Sequence, residues 1–188
     1  MILRNSKGLS DMRSLIFLVA SILASLCLLC AACSFEQLEP SVDRNKFAKL
    51  NAAAEAVKTG IDSGASLQQV SEKTVLMSDE IAAVKDKVST KREGRLLKAY
   101  VDLLDIYRDG LLLWKYKDNF PHLASELKGR IYMAQDVEPI AAKYGFATES
   151  HTYKPTGQTW RSISADSILI IWKNAGDQLN IIRNITNY

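Results

Sequence analysis

A long apolar stretch near the start of the chain constrains it more than any other feature. The stretch from Ser14 to Cys33 reads SLIFLVASILASLCLLCAAC and carries no charge, and it follows a segment that holds three Lys and Arg residues against one acid. A cationic flank, an apolar core and small residues at the end of that core are the three parts of an export signal. The sequence therefore predicts that residues 1–32 direct the rest of the chain across a membrane.

The apolar stretch ends in Cys30-Ala31-Ala32-Cys33. This ending resembles the lipobox of bacterial lipoproteins, in which a diacylated cysteine becomes the first residue of the mature protein, although Cys30 stands where that family usually has Leu, Val or Ile. The resemblance implies cleavage before Cys33, a lipid on its sulfur and anchoring of the chain to the outer face of a membrane. Ser34 after the cysteine resembles the outer-membrane address of enteric lipoproteins.

Two other outcomes of the apolar stretch stay open from the residues alone. About 20 apolar residues can cross a bilayer, so the stretch is also compatible with a retained transmembrane anchor. An ordinary cleaved signal would instead release the chain from the membrane. All three outcomes export the residues after Cys33, because the cationic flank remains inside. The predicted location is the cell envelope.

The composition of the exported part excludes several function classes. From Cys33 onward the chain has 21 Lys and Arg residues against 20 Asp and Glu residues, so its net charge is near +1. A nearly neutral chain has no excess of cations to attract a phosphate backbone, and we expect no nucleic-acid partner. No cysteine follows Cys33, which excludes disulfides, thiol catalysis and thiolate metal sites from the folded part.

After a predicted lipidated tether over residues 33–40, the periodicity of the chain indicates helices. Ser41 or Asp43 suits the cap of a first helix, and capping-box sequences begin at Ser66 and Thr90. Residues at steps of three and four, all apolar except Thr74, follow each of these caps and define one face of each helix; they are Phe47, Leu50, Ala54, Val57 and Ile61, then Leu67, Val70, Thr74, Met77, Ile81, Val84 and Val88, then Leu97, Tyr100, Leu104, Tyr107, Leu111 and Trp114.

The pattern becomes less regular after about residue 118. A fourth helix is predicted between Leu123 and Val137, and a short one between Pro139 and Gly145. Residues 148–158 read as a polar loop. The last helix is predicted over residues 159–186, with an apolar centre at 168–172 that should be buried on every side. The fold class predicted for residues 41–188 is therefore all-α, an antiparallel helical bundle of about four main helices.

The search for a chemical site yields one aromatic pattern. Tyr100, Tyr107 and Trp114 recur every seven residues on the third predicted helix, and such residues form either a helix core or the lining of a ligand pocket. His151 is expected to be exposed in the polar loop. His122 and Glu126 are spaced for a helical ion pair, and no set of residues has the spacing of a metal site or a catalytic constellation. The sequence predicts no enzyme, no metal and no cofactor.

Two functions are compatible with these observations. The first is a membrane-anchored cell-envelope lipoprotein whose non-catalytic helical domain binds a protein partner or serves as a scaffold. The alternative is a small-molecule carrier or sensor domain with a cavity between its helices. An apolar groove on the surface would favour the first, whereas an enclosed cavity that reaches Tyr107 or Trp114 would favour the second.

Overall fold

A computed structural model describes residues 41–118, 129–153 and 156–187. Those residues form five helices and three strands, in the order α1 Arg44–Asp62, α2 Leu67–Lys85, α3 Lys91–Asp118, β1 Arg130–Tyr132, α4 Glu138–Tyr144, β2 Glu149–Tyr153, β3 Gln158–Ser164 and α5 Ser167–Asn187. Pro40–Tyr188 is one compact unit. The predicted export signal, the predicted lipidation at Cys33, the tether and the pair His122–Glu126 lie outside the described residues.

The first three helices begin where their caps predict. The Asp43 carboxylate accepts a hydrogen bond from the Asn45 amide at 3.0 Å, and Ser66 forms a reciprocal capping box with Gln69. The Thr90 hydroxyl accepts from the backbone N–H of Glu93 at 3.1 Å. These side chains satisfy amide groups that have no partner within the helix, which fixes each starting residue.

Helices α1, α2, α3 and α5 bury most of the apolar residues that the periodicity predicted. α1 packs against α2, α2 against α3, and α3 against α5. The connections between α1 and α2 and between α2 and α3 are short. The resulting core contains Phe47, Leu50, Ala54, Val57, Val70, Met77, Val84, Leu96, Tyr100, Leu103, Leu104, Tyr107, Ala175, Leu179 and Ile182, among others.

The second half of the domain corrects the all-α prediction, because the fold is predominantly helical with a small antiparallel sheet. The strand order is β1-β3-β2, and Ile131 pairs with Ile163 at the centre of the β1–β3 ladder. Both isoleucines are fully buried. Residues 130–132 were expected in a helix, 149–153 in a loop and 158–164 mostly in the last helix. All three assignments are wrong. Ile131 and Ile163 are buried because β1 pairs with the distant strand β3, and the mostly exposed β2 pairs with β3 as a hairpin.

The short helix α4 agrees with the prediction made from its flanking residues. Pro139 lies in its first turn, and Gly145 ends it with a φ of 66° in the left-handed region. Ile140 and Ala141 pack with Ile131 and Ile163 in a second core cluster beneath the sheet. The sheet and α4 therefore share one apolar core.

Helix α5 is amphipathic at its start and not buried on every side, which corrects the expectation for residues 168–172. Ile168 and Ile171 are buried, but Leu169 is 65% exposed and Ile170 49% exposed. In the described part of the chain, none of the helices has both the length and the apolar composition that crossing a membrane requires.

Candidate functional site

Two of the three aromatic residues predicted as core or pocket lie deep between α1 and α3. Tyr100 is 0% exposed and Tyr107 is 1% exposed. The Tyr100 hydroxyl donates to Oδ1 of Asn51 at 3.1 Å, and the Tyr107 hydroxyl points to the carbonyl of Ala54 at 3.5 Å. Each tyrosine thus packs its ring in the core and directs its polar end to α1.

Burial raises the pKa of both Tyr100 and Tyr107 above the ordinary value of a tyrosine, since a phenolate would lose its hydration. Both hydroxyls therefore remain protonated across the physiological pH range and act as hydrogen-bond donors to α1. This arrangement suits a structural role and provides no proton-transfer group at neutral pH.

Trp114, the third aromatic residue, is only half-buried. Its ring meets the ring of Trp172 on α5 edge to face, with the centroids 6.5 Å apart. The Trp172 ring also lies 6.5 Å from the ring of Tyr107. The structure therefore joins two of the predicted residues through Trp172, which sequence reasoning had not selected.

A surface cleft of about 420 Å³ opens beside this aromatic group. Ile61, Tyr107, Trp172 and Gly176 contribute to its apolar floor, and the ion pairs Lys58–Asp62 on α1 and Lys173–Asp177 on α5 form part of its rim. We call it the Trp172 cleft. Its volume falls within the range of about 300–1,000 Å³ that is typical of small-molecule sites.

A second depression, of about 530 Å³, lies between α1 and α2. Its α1 side carries the small residues Ala52, Ala56 and Gly60, spaced by four and therefore on one helix face. On the α2 side lies Leu76, which is 61% exposed. We call this surface the α1–α2 groove. Leu76 and the row of small residues together form an exposed apolar surface, and an apolar side chain of a partner can pack against it.

A polar network lies on the face of the sheet opposite its core. The Ser162 hydroxyl accepts from Nε of Arg130 at 2.7 Å and lies 2.8 Å from Nε2 of His151. The His151 ring stacks on Trp160, with the centroids 4.1 Å apart. His151 is thus half-buried in a strand, which corrects the expectation of an exposed loop histidine.

The Ser162–His151 pair has the residue types of a nucleophile and its base, but its surroundings fit a structural network. Ser162 is 0% exposed, and its oxygen is occupied by the Arg130 side chain. Arg130 also pairs with Glu149 at 3.0 Å. These contacts connect all three strands and leave the hydroxyl with no open approach for a substrate.

Glu93 is a buried carboxylate that sequence reasoning assigned only to a helix cap. It is 2% exposed, and both of its oxygens lie 2.7 Å from the Lys46 ammonium of α1. The backbone N–H of Ser89 also donates to it at 2.9 Å. The Lys46 hydrogen bond, followed by that of Ser89, lowers the pKa of Glu93 from 4.5 to about 2. The Lys46–Glu93 ion pair therefore connects the start of α3 to α1.

The acidic residues along α3 are distributed among separate ion pairs. Asp102 pairs with Lys98 at 2.9 Å, and Asp109 pairs with Lys143 at 2.6 Å. Among the described residues, no three His, Cys, Asp or Glu side chains are grouped in a way that could hold a metal ion.

The described residues define a predominantly helical domain with a three-stranded sheet, and they include the Trp172 cleft, the α1–α2 groove and the buried ion pair Lys46–Glu93. Comparison of the chain with protein families, with characterised proteins and with solved structures finds no match. Gly110 is the sequence signal that could have identified the contact with Trp172. Gly110 lies inside a strong helical pattern, and such a glycine often marks a close approach between two elements.

Proposed function

We propose that the protein is a lipid-anchored lipoprotein of the cell envelope and that its non-catalytic helical domain binds a protein partner. The anchoring half of the proposal is supported by the export-signal pattern and the lipobox-like residues before Cys33. Its long helices serve in this proposal as an antiparallel bundle that presents a binding surface. The α1–α2 groove is the observation that supports the binding half.

The α1–α2 groove has the features of a helix-binding surface. Gly60 lies where an added β carbon would be 3.2 Å from Cδ of Lys73, so α1 and α2 approach closely beneath the groove. Val75 and Leu76 are 60% and 61% exposed on α2. Glu55, Glu72 and Lys73 surround the apolar part with charge. An apolar centre with a polar rim is the usual anatomy of a protein interface.

The lipid anchor is tested by metabolic labelling with a fatty-acid probe. We expect the parent protein to carry the label and the Cys33→Ala variant to lose it, with Cys27 and Cys30 unable to substitute. Label retained by Cys33→Ala would contradict the assignment of the lipid to that residue.

The interface is tested by placing a photo-crosslinking residue at Leu76 in cells that make the protein. We expect a discrete crosslinked species from position 76 and none from a matched position at Lys115, which is exposed near the end of α3. A second variant, Leu76→Glu, should abolish the same partner's co-purification without changing the circular dichroism spectrum. Equal crosslinking from both positions would contradict a specific interface at the groove.

The Trp172 cleft supports the alternative function, a carrier or sensor of a small molecule. It reaches Tyr107, as that hypothesis required, but it is open at the surface and its rim is charged. The test is a substitution that fills the cleft. A β carbon on Gly176 would meet nothing within 4 Å, so Gly176→Leu can place a side chain in the cleft without a clash in the core.

Mass spectrometry of the natively purified protein provides the measurement for this alternative. A bound small molecule that is present in the parent and in Gly176→Ala, and absent from Gly176→Leu, would favour the carrier function. No difference among the three proteins would leave the partner-binding function as the better supported one.

A further inference from the structure

The charges of the domain are unevenly distributed, although the exported chain is nearly neutral. Positive charge is concentrated in two segments. They are residues 41–49, at the start of α1, and residues 84–95, which run from the end of α2 into the start of α3. Together they carry eight Lys and Arg residues against three acids, a net charge of +5. All other described residues carry eleven against fourteen, a net charge of −3. We call residues 41–49 and 84–95 the basic end.

Contacts in the structure show that the two segments of the basic end lie together. Lys46 of α1 bonds both oxygens of Glu93 at 2.7 Å and the hydroxyl of Ser89 at 3.3 Å. The last turn of α5 reaches the same place, since Arg92 donates to the carbonyl of Ile185 at 3.0 Å. Two helix N-termini and two helix C-termini therefore meet here, and their dipoles largely offset one another. The side chains set the local charge.

Most cations of the basic end have no acidic partner among the described residues. Arg44, Lys49, Lys85, Lys87 and Lys91 are all exposed, and none of them forms an ion pair with another described residue. The acids are fewer and two of them are engaged: Glu93 is neutralised by Lys46, and Asp43 caps α1. An excess of unpaired positive charge at one end is complementary to an anionic surface.

The chain itself indicates which surface that is. The basic end includes Ser41, and the eight residues 33–40 connect it to Cys33, the predicted site of the lipid. Even fully extended, eight residues span at most about 28 Å. A lipid at Cys33 therefore keeps the basic end near the headgroups, whereas the far end of α3, a 28-residue helix, is about 40 Å away along its axis.

We propose that the basic end is a membrane-facing surface that binds anionic phospholipid headgroups and orients the domain on the bilayer. This inference rests on the proposed lipid anchor. Each Lys or Arg near an anionic membrane contributes favourable electrostatic free energy to membrane binding. This attraction decays over a Debye length of about 10 Å at 0.1 M salt. Because a diacyl anchor already holds the chain at the membrane, the basic end determines orientation and not retention.

The test uses the processed full protein in vesicles of phosphatidylcholine, with or without anionic phosphatidylglycerol. A fluorophore is attached through Ala48→Cys at the basic end or, as a control, through Gln68→Cys in the first turn of α2 at the opposite end. Both positions are exposed. A quencher on the lipid headgroup reports proximity. We expect anionic lipid to increase quenching at position 48 and to have little effect at 68, and 1 M salt should remove the increase.

Two matched charge variants assign the effect to the basic end. Lys85→Gln/Lys87→Gln/Lys91→Gln should lower the ratio of membrane-facing to free orientations by about fivefold for each lysine removed. Lys115→Gln/Lys117→Gln/Lys173→Gln makes the same change in net charge near the other end of α3 and should leave quenching at position 48 unchanged. Equal effects of the two triple variants, or equal quenching in both kinds of vesicle, would overturn the inference.

Vesicle flotation separates this inference from the proposed anchor. A protein that floats with neutral vesicles supports the lipid anchor whatever the quenching shows. Flotation with anionic vesicles alone would support the basic end and contradict the anchor, and flotation with neither would contradict both. Both triple variants should float like the parent, because the lipid anchor, and not the basic end, retains the protein on the vesicle.

Discussion

The indole ring of Trp172 lies directly against the backbone of Gly110, so that a β carbon on Gly110 would come within 2.2 Å of two ring atoms. No real β carbon approaches a neighbour so closely. The contact brings α3 and α5 together at the point where the Trp172 ring also meets Trp114 and Tyr107. The absence of a side chain at position 110 is therefore what allows the aromatic group beside the cleft to form.

We predict that Gly110→Ala destabilises the domain. Alanine favours a helix interior by about 1 kcal/mol relative to glycine, but the added methyl group must displace a rigid ring, and such overpacking costs about 1–3 kcal/mol or more. The net result should be a lower free energy of unfolding, measured by denaturant titration.

Gly176→Ala is the matched control on the facing helix. A β carbon there has no neighbour within 4 Å, so only the helix preference acts and stability should rise by about 0.5–1 kcal/mol. Variants that change stability in the same direction would contradict the packing assigned to Gly110.

A second prediction concerns acid stability through Glu93. The pKa of this carboxyl falls from 4.5 to about 2 on folding. A lowered folded-state pKa gives stability that is fully present above about 4.5 and is lost as the pH falls through about 2. A shift of this size corresponds to at most about 3 kcal/mol. Urea titrations at several pH values should show this loss in the parent protein.

Glu93→Gln tests the assignment. The variant should be less stable by about 1–3 kcal/mol at neutral pH, because Lys46 loses its charged partner, and its stability should change less than that of the parent between pH 4.5 and 2. The double variant Lys46→Met/Glu93→Leu should recover part of the loss, since an apolar pair can replace a buried ion pair. Parallel pH profiles for the parent and Glu93→Gln would contradict this account.

The local parts of the fold were predictable and the sheet was not. The caps at Asp43, Ser66 and Thr90 and the helix end at Gly145 are encoded within a few residues, and the structure confirms each of them. Strand β2 reads ESHTY, with no apolar alternation to distinguish it from a loop. Its pairing with β3 depends on contacts that periodicity within one segment does not reveal.

The surface depressions could not be predicted for the same reason, because each is formed by residues from different segments of the chain. Tyr107 was singled out from its spacing, but Trp172 is its neighbour only because α3 and α5 pack together across 65 residues of sequence. The basic end escaped notice for a related reason. The net charge summed from Cys33 onward is only about +1, and only folding brings residues 41–49 beside residues 84–95.

A third prediction is that residues 41–188 fold without the preceding segment. Both apolar clusters are built from residues between Val42 and Ile185, so none of the described core depends on residues before 41. The circular dichroism spectrum of this fragment should be dominated by helix, and its thermal unfolding should be cooperative. A disordered or strand-dominated spectrum would contradict the domain boundary.

The last prediction separates packing from binding at Trp114. A fully buried tryptophan costs about 3–5 kcal/mol when it is truncated to alanine. Trp114 is half-buried, and it forms an edge-to-face pair with Trp172. We therefore expect Trp114→Ala to cost about 1.5–3 kcal/mol, and Trp114→Phe to cost much less, as measured by thermal and denaturant unfolding.

A double-mutant cycle with Trp172→Ala gives the part of this cost that belongs to the ring pair. An aromatic pair is worth about 0.5–1.5 kcal/mol beyond the area that it buries, so the two substitutions should be less than additive by about that amount. Exact additivity would show that the rings do not stabilise each other. An unchanged melting temperature in Trp114→Ala, together with loss of a bound small molecule, would instead make Trp114 a ligand-binding residue and favour the carrier function over partner binding.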